Sequence, residues 1–413
     1  MPFLGFRCSL CGEEYAPLAY TYTCPRDGGN LDVILDVERI RGECSPTDIT
    51  GRAELSLWRY LPLLPVSAPA GRGTPLHAAG WTPIFQPGLL ARQLNLRRLW
   101  VKDDGRNPTA SFKDRASAVV VVRAREIGAG VVVTASTGNA GAALAGMAAA
   151  AGQPAIIFAP RTAPPAKVAQ LLVFGAQVIL VEGNYDQAFD LAVQASLEFG
   201  WYCRNTGYNP FTIEGKKTAA FEIWEQVILA EKMERPLCVF VSVGDGNIIS
   251  GLHKGFKELH ALGWLEHMPR IYGVQAEGSA SVANAFFSGS ERISAVQART
   301  VADSISVDLP RDGVRAVRAA RETGGSFILV NDTKILQAIA ALGQAGIFAE
   351  PAGAAAYAGL VRAVQQGLIS PEDPVLVLNT GSGLKDVRAA MQAVKEAPII
   401  EPDLKAVKKL LGV

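Results

Sequence analysis

The sequence predicts an α/β protein built mainly on parallel sheets, and three observations lead there. From Leu96 onward, short runs of Val, Ile and Leu alternate with Ala-rich stretches of helical length. The runs are continuously apolar rather than alternating, which is how strands covered on both faces read. Several runs end in polar, glycine-bearing segments that open a helix, the place where open α/β sheets bind ligands.

Taken in order, residues 1–50 read as a small separate module. It is short on long apolar runs and carries CSLC from Cys8 and CPRDGG from Cys24. Leu61 to Pro87 is rich in Pro and Gly and reads as an irregular connector. Leu99–Lys102 is the first strand of the main pattern, with a helix beginning near Phe112. Val131–Thr134 precedes an Ala-rich helix from Gly138. Ala155–Phe158 precedes a helix starting around Pro164, and Val178–Val181 one around Tyr185. Cys238–Val243 precedes a helix at Asn247, and Ile271–Gln275 and Val375–Leu378 are further strands. The division expected is the module (1–50), a small α/β domain (105–200), and a large domain combining 51–104 with 201–413.

Composition excludes several classes. A chain of 413 residues is too long for one ordinary core. A net charge of +1 gives no electrostatic case for nucleic acid or an acidic membrane surface. No charged n-region precedes an apolar run, so no signal peptide is expected. Ala140–Ala151 is too short for a bilayer, which needs about 20 residues. Six cysteines in this length make no disulfide scaffold and read as reduced thiols of a cytoplasmic enzyme.

Lys113 lies in ASFKDR at an expected helix start, beside Phe112 and an apolar stretch. Lysine is ordinarily a solvated surface residue. Partial burial and the positive end of a helix both disfavour the ammonium form; Arg115 adds a like charge and Asp114 opposes it. A lysine with a depressed pKa is what Schiff-base chemistry requires, because only the neutral amine attacks a carbonyl. In VGDGNIISG, Gly244 and Gly246 let the backbone approach a ligand, and the helix that follows offers N–H groups to a phosphate. Asp245 there must point away or hydrogen-bond locally. Ser136, Thr137 and Gly138, with Asn139 opening a helix, can hold a carboxylate or simply cap that helix. Thr380 and Ser382 in NTGSG place hydroxyls at a strand end. Singly, each loop is also an ordinary strand-to-helix turn.

Six segments in order are more specific: NPTASFKDR, ASTGNAG, the NP–EGKKT segment (Asn209, Pro210, Glu214 to Thr218), VGDGNIISG, GIFAEPAGAA (Gly346 to Ala355) and NTGSG. Together they resemble the fold-type-II pyridoxal-phosphate (PLP) enzymes, and within them the threonine synthase family. The resemblance implies a tryptophan-synthase-β-like fold, two doubly wound α/β domains with the cofactor in the cleft. It implies a lyase that eliminates phosphate from an O-phospho-amino acid, with O-phosphohomoserine and water giving threonine. Cysteate synthase (O-phosphoserine and sulfite), a serine/threonine dehydratase, or a catalytically silent binding protein are the alternatives. A homodimer with a small-molecule substrate, and neither nucleic acid nor membrane as partner, goes with it.

Carried over by residue, the resemblance makes Lys113 the lysine that bonds the cofactor and shuttles protons. Asn139 faces the cofactor's phenolic oxygen, and Gly244, Asp245, Gly246, Asn247 and Ile248 its phosphate. Thr380 faces the pyridine nitrogen; a hydroxyl there makes a weaker electron sink than a carboxylate, suited to elimination and replacement. Ser136, Thr137 and Gly138 bind the substrate carboxylate, with Asn205, Thr206 and Lys217 as further substrate contacts. Thr212 stands where threonine synthases carry an Arg for the leaving phosphate. Lys216, Lys217 and Arg204 are the cations left to replace it. The GDGN loop is closer to the cysteate-synthase-like branch.

CSLC and CPRDGG resemble a zinc-ribbon knuckle pair with Asp27 at the fourth position. Cys8, Cys11, Cys24 and Asp27 are one candidate zinc site. Because structural zinc sites are mostly all Cys/His, a degenerate knuckle that folds without metal is the favoured reading.

Overall fold

The structure is a computed structural model and describes residues 2–17, 22–163 and 165–413. In chain order its strands are β1 (Phe3–Cys8), β2 (Glu14–Tyr15), β3 (Leu31–Leu35), β4 (Ile84–Phe85), β5 (Leu99–Asp103), β6 (Val132–Ala135) and β7 (Ala155–Pro160). They continue with β8 (Gln177–Val181), β9 (Tyr202–Cys203), β10 (Cys238–Ser242), β11 (Arg270–Ala276), β12 (Ser326–Val330) and β13 (Val375–Asn379). They form three sheets: β2-β1-β3, β8-β7-β6-β9 and β12-β11-β10-β13-β5-β4.

The four-stranded sheet is wholly parallel. The six-stranded sheet is parallel except for β4, which pairs antiparallel with β5 at one edge. Strands β5, β6, β10 and β13 are buried along their whole length, as continuous apolar runs require. Strand β8 departs from that expectation. It is an edge strand, largely open on one face, with Leu180 exposed. Strand β12 was not anticipated, although SFILV after Gly324–Gly325 is a strand-like run bounded by a turn signal. The helix expected around Pro164 runs over Pro165–Val173; Pro164 itself lies outside the described residues.

Local signals set the helices. Asn184 and Gln187 form a reciprocal capping box that starts Tyr185–Glu198. The Ala-rich helix Asn139–Ala151 ends on Gly152 in the left-handed region. Its small residues let it pack closely on the helix Lys113–Glu126, most of whose residues are buried. A buried turn of helix, Leu57–Leu63, leads into the connector, and its Trp58 and Tyr60 join the core; the connector itself is mainly irregular, as expected.

Candidate active site

Both parallel sheets carry a topological switch point. In the six-stranded sheet the chain winds from β10 out to β11 and β12 and then returns to place β13 on the other side of β10. In the four-stranded sheet the same holds for β6 and β9. The loops after β6, β9, β10 and β13 meet in one cavity of about 370 Å³. Lys113, Ser136 to Asn139, Arg204, Thr206, Lys216, Gly244 to Ile248 and Thr380 all line it.

Lys113 opens its helix from a position held by buried charge. Asp114 accepts from the Thr109 backbone N–H at 2.6 Å. Arg115, fully buried, bonds Asp104 at 2.6 Å and also pairs with Glu222, whose other oxygen meets Lys102 at 2.7 Å. This network fixes the helix start to β5, while the Lys113 amine has no hydrogen bond or ion pair among the described residues. Burial holds its pKa below the usual lysine range, opposed by the nearby Glu350 carboxylate.

The loop after β10 needs its glycines. Gly246 has φ +89°, and a Cβ there would lie 2.6 Å from the Asp312 carbonyl oxygen. A Cβ on Gly244 would lie 2.9 Å from Ile305 Cα. The backbone N–H groups of Gly244, Asp245 and Gly246 donate to no acceptor among the described residues, and the helix Asn247–Ala261 has no side-chain cap. Asp245 resolves locally, as the sequence required: its carboxylate accepts from the Arg311 N–H at 3.3 Å, and burial raises its pKa.

At the opposite wall, Gly138 caps the helix Asn139–Ala151 without a side-chain bond, so its N-terminus faces the cavity. Ser136 accepts from the Gly138 N–H at 3.2 Å. Asn139 donates to Glu350 at 2.7 Å. Burial pushes the Glu350 pKa up to about 7. Thr380 is buried at the cavity wall, with its carbonyl accepting from Phe112 N–H at 2.9 Å and no side-chain hydrogen bond among the described residues.

Two cations stand out. Arg204, fully buried, donates to Thr206 Oγ1 at 2.7 Å and Ser117 Oγ at 3.2 Å, and its second terminal nitrogen has no partner. Burial lowers its pKa to about 10. Lys216, also fully buried, has only the amide oxygen of Asn247 as partner, and burial holds its amine well below the usual range. No carboxylate ion-pairs with either among the described residues.

Other expected residues lie elsewhere. Lys217 points away into a cluster with Glu214, at 2.5 Å, and Glu258, at 2.8 Å; its charge is already matched and it does not line the cavity. Asn205 lies behind the wall, its Oδ1 accepting from Thr134 Oγ1 and Ala135 N–H at 2.9 and 2.8 Å. It shapes the end of β6 rather than facing a ligand. Thr212 bonds the Asn209 carbonyl at 2.8 Å and lies outside the cavity lining. Sequence reasoning did not single out Glu350 as a site residue or the wall segment Asp303 to Leu309. Glu350 sat in the quoted GIFAEPAGAA, but that wall segment has no glycine, and its polar–apolar alternation from Ser304 to Leu309 forms no strand.

Comparison with known proteins agrees with this geometry. Residues 76–381 match the family described as pyridoxal-phosphate dependent enzymes. The chain belongs to that family. The threonine synthase of Methanocaldococcus jannaschii is 37% identical over 408 residues, covering 98% of each chain. That of Methanosarcina acetivorans is 35% identical, again over 98% of each. Among solved structures, diaminopropionate ammonia lyase from Escherichia coli superposes with a TM-score of 0.66 at 20% identity, covering 86% of this chain and 94% of that one. At that identity it shows the shared α/β fold alone. Membership makes this a PLP-dependent lyase, and the cavity fits the cofactor: it offers an unpartnered amine, unengaged backbone N–H groups at a glycine loop, and an unengaged hydroxyl.

Proposed function

We propose that this protein is a threonine synthase, converting O-phospho-L-homoserine and water to L-threonine and phosphate. The observation that carries the substrate class is the pair Arg204 and Lys216. Buried cations are stable only when paired. These two have no carboxylate partner, share a cavity with Lys113, and suit a phosphoryl group. They answer the missing Arg at Thr212. The archaeal relatives, similar over nearly the whole chain, support the same activity.

In this reading Lys113 holds the cofactor covalently and Gly244 to Ile248 hold its phosphate. Asn139 faces the phenolic oxygen, and Thr380 the pyridine nitrogen. When bound, PLP withdraws electrons from the substrate's Cα and so makes the protons there and at Cβ acidic. Lys113, whose ammonium form burial disfavours, takes and returns those protons. Ser136, Thr137 and Gly138 hold the carboxylate at the helix N-terminus. Arg204 and Lys216, with Thr206, hold the phosphate and stabilise it as it leaves. A dry cleft strengthens each of these contacts.

The sheets support a division close to 105–200, with β9 (Tyr202–Cys203) of the smaller sheet lying just past its end. The four-stranded sheet draws on 132–203, and the six-stranded sheet on 84–103 and 238–379. No described helix is long and apolar enough to cross a membrane. A cytoplasmic homodimer belongs to the same proposal, on the family resemblance.

The test is phosphate release and product analysis with O-phosphohomoserine and, separately, O-phosphoserine with sulfite. Threonine from the first is expected. Cysteate from the second alone would move the protein to the cysteate-synthase branch, and phosphate from neither would reject the class.

A further inference from the structure

The three N-terminal cysteines play no part in the cleft. We propose that Cys8, Cys11, Cys24 and Asp27 form a structural zinc site that clamps the N-terminal module against the elements carrying the phosphate-binding loop.

The sequence favoured a degenerate knuckle without metal; the geometry supports a metal site. The three sulfurs and a carboxylate oxygen of Asp27 all lie within 4.8 Å of one another. The two loops are copies of one turn. Cys8 begins one, and the Gly12 N–H returns to the Cys8 carbonyl at 3.1 Å. Cys24 begins the other, and the Gly28 N–H returns to the Cys24 carbonyl at 2.8 Å. Both closing glycines are left-handed, at φ +78° and +70°. In this repeat Asp27 occupies the place that Cys11 holds in the first turn.

The rest of the site is built for ligands. The Leu10 N–H donates to Cys8 Sγ at 3.3 Å and the Gly29 N–H to Asp27 Oδ1 at 2.8 Å, the outer bonds that orient metal ligands. Gly29 is glycine for a reason of space. A Cβ there would lie 2.7 Å from Cys8 Sγ and 2.9 Å from Asp27 Oδ1. Three thiolates and a carboxylate carry the same formal charge as four thiolates, so zinc meets no electrostatic penalty from the substitution. Thiolate-rich tetrahedral sites select zinc over calcium or magnesium.

The clamp is read from what the turns touch. The Ser9 N–H bonds the Asn30 carbonyl at 2.9 Å, linking the two turns. Arg318 donates to the Ser9 carbonyl, and Asn30 donates to the Gly207 carbonyl. Asp32 pairs with Arg315 at 2.6 Å, Arg315 with Asp312 at 2.6 Å, and Asp312 accepts from Asn247 at 2.7 Å. A polar chain therefore runs from Asp32 on β3, the strand that follows the second turn, to Asn247, the first residue of the helix behind the phosphate loop.

The experiment is metal analysis of the full chain, purified without chelator. About one zinc per chain is expected; less than about one tenth overturns the site. Cobalt in place of zinc should give the near-ultraviolet thiolate band and the visible bands of a tetrahedral ion. Asp27→Ala and Cys11→Ser should lower the zinc retained against a mild chelator by about tenfold or more, and Asp27→Cys should restore it. If the Ala and Ser variants retain zinc like the parent, or Asp27→Cys does not, these are not the ligands. For the clamp, zinc-stripped protein should bind PLP several-fold more weakly than the zinc-loaded form. Unchanged PLP affinity would refute the clamp while leaving the metal site standing.

Discussion

Replacing Arg204 with methionine should cost far more activity than stability. The Arg204 guanidinium is fully buried with no carboxylate partner among the described residues, where one terminal nitrogen also lacks a hydrogen bond. An orphaned buried donor costs about 1–3 kcal/mol. Methionine fills similar space without that cost and gives up two hydroxyl contacts, to Thr206 and Ser117, worth about 1 kcal/mol each. Net stability should therefore change by no more than about 1 kcal/mol in either direction. With a phosphorylated substrate the balance changes. Losing a desolvated, charge-assisted contact to phosphate costs about 2–4 kcal/mol, or about 30- to 1,000-fold in kcat/KM. Phosphate release from O-phosphohomoserine measures the first quantity and urea unfolding of the holoenzyme the second. Slow deamination of unphosphorylated L-serine is the control and should change by less than about threefold. If Arg204→Met keeps phosphate release within threefold of the parent, or loses serine deamination in equal measure, Arg204 does not bind the substrate phosphate.

Lys113→Ala should remove both the absorbance band near about 410–420 nm and all phosphate release; survival of either rejects the assignment. Glu350 carries a pH signature. Its pKa in the folded protein is raised to about 7 from 4.5, so the fold retains a proton that the unfolded chain releases. Its stabilising share is complete below the unfolded value and is lost as pH rises toward about 7. Glu350→Gln should flatten the fall in stability between those limits, as read by unfolding at a series of pH values; an unchanged slope refutes it. Lys216 should take up a proton when inorganic phosphate binds the holoenzyme at about pH 8.5, where free phosphate is already dianionic. Calorimetry in two buffers of different ionisation enthalpy measures this, and Lys216→Met should abolish it.

Much of this was legible in the sequence because the signals were local. A strand buried on both faces writes itself as a continuous apolar run, and β5, β6, β10 and β13 were read that way. Helix starts at Lys113, Asn139 and Asn247 followed from the loops before them. What the sequence could not show was direction. Lys216 and Lys217 are adjacent and read alike, yet one faces the cavity and the other a pair of carboxylates. Neighbours on a helix point about 100° apart, and only the packing of Phe211–Lys216 against Asn247–Ala261 decides which of them faces inward. Asn205 and Arg204 pose the same problem at the end of β9, where alternate residues point to opposite faces. The Asp27 site shows the opposite case. Its paired turns were legible from CSLC and CPRDGG, but the convergence of all four ligand atoms within 4.8 Å was not, because it depends on how the two turns pack together.

The electrostatics of the cleft bind these residues into one argument. Burial lowers the pKa of Lys113, Arg204 and Lys216, and raises that of Asp245 and Glu350. Both shifts weaken charge, so without ligand the cavity sheds ionisation from either side. A phosphoryl group reverses the first set by stabilising the cations beside it, and reinforces the second by raising the carboxylates further. Glu350, at about 7, is the group where this coupling takes up protons near neutral pH, whereas Arg204, at about 10, stays charged throughout. The same logic accounts for Asp245 beside a phosphate cradle. Its raised pKa and its bond to the Arg311 N–H reduce its repulsion of the anion, while its carbonyl fixes the Asp312 N–H at 2.9 Å. A carboxylate that looks misplaced in the sequence is thereby a structural tie for the loop that must carry phosphate.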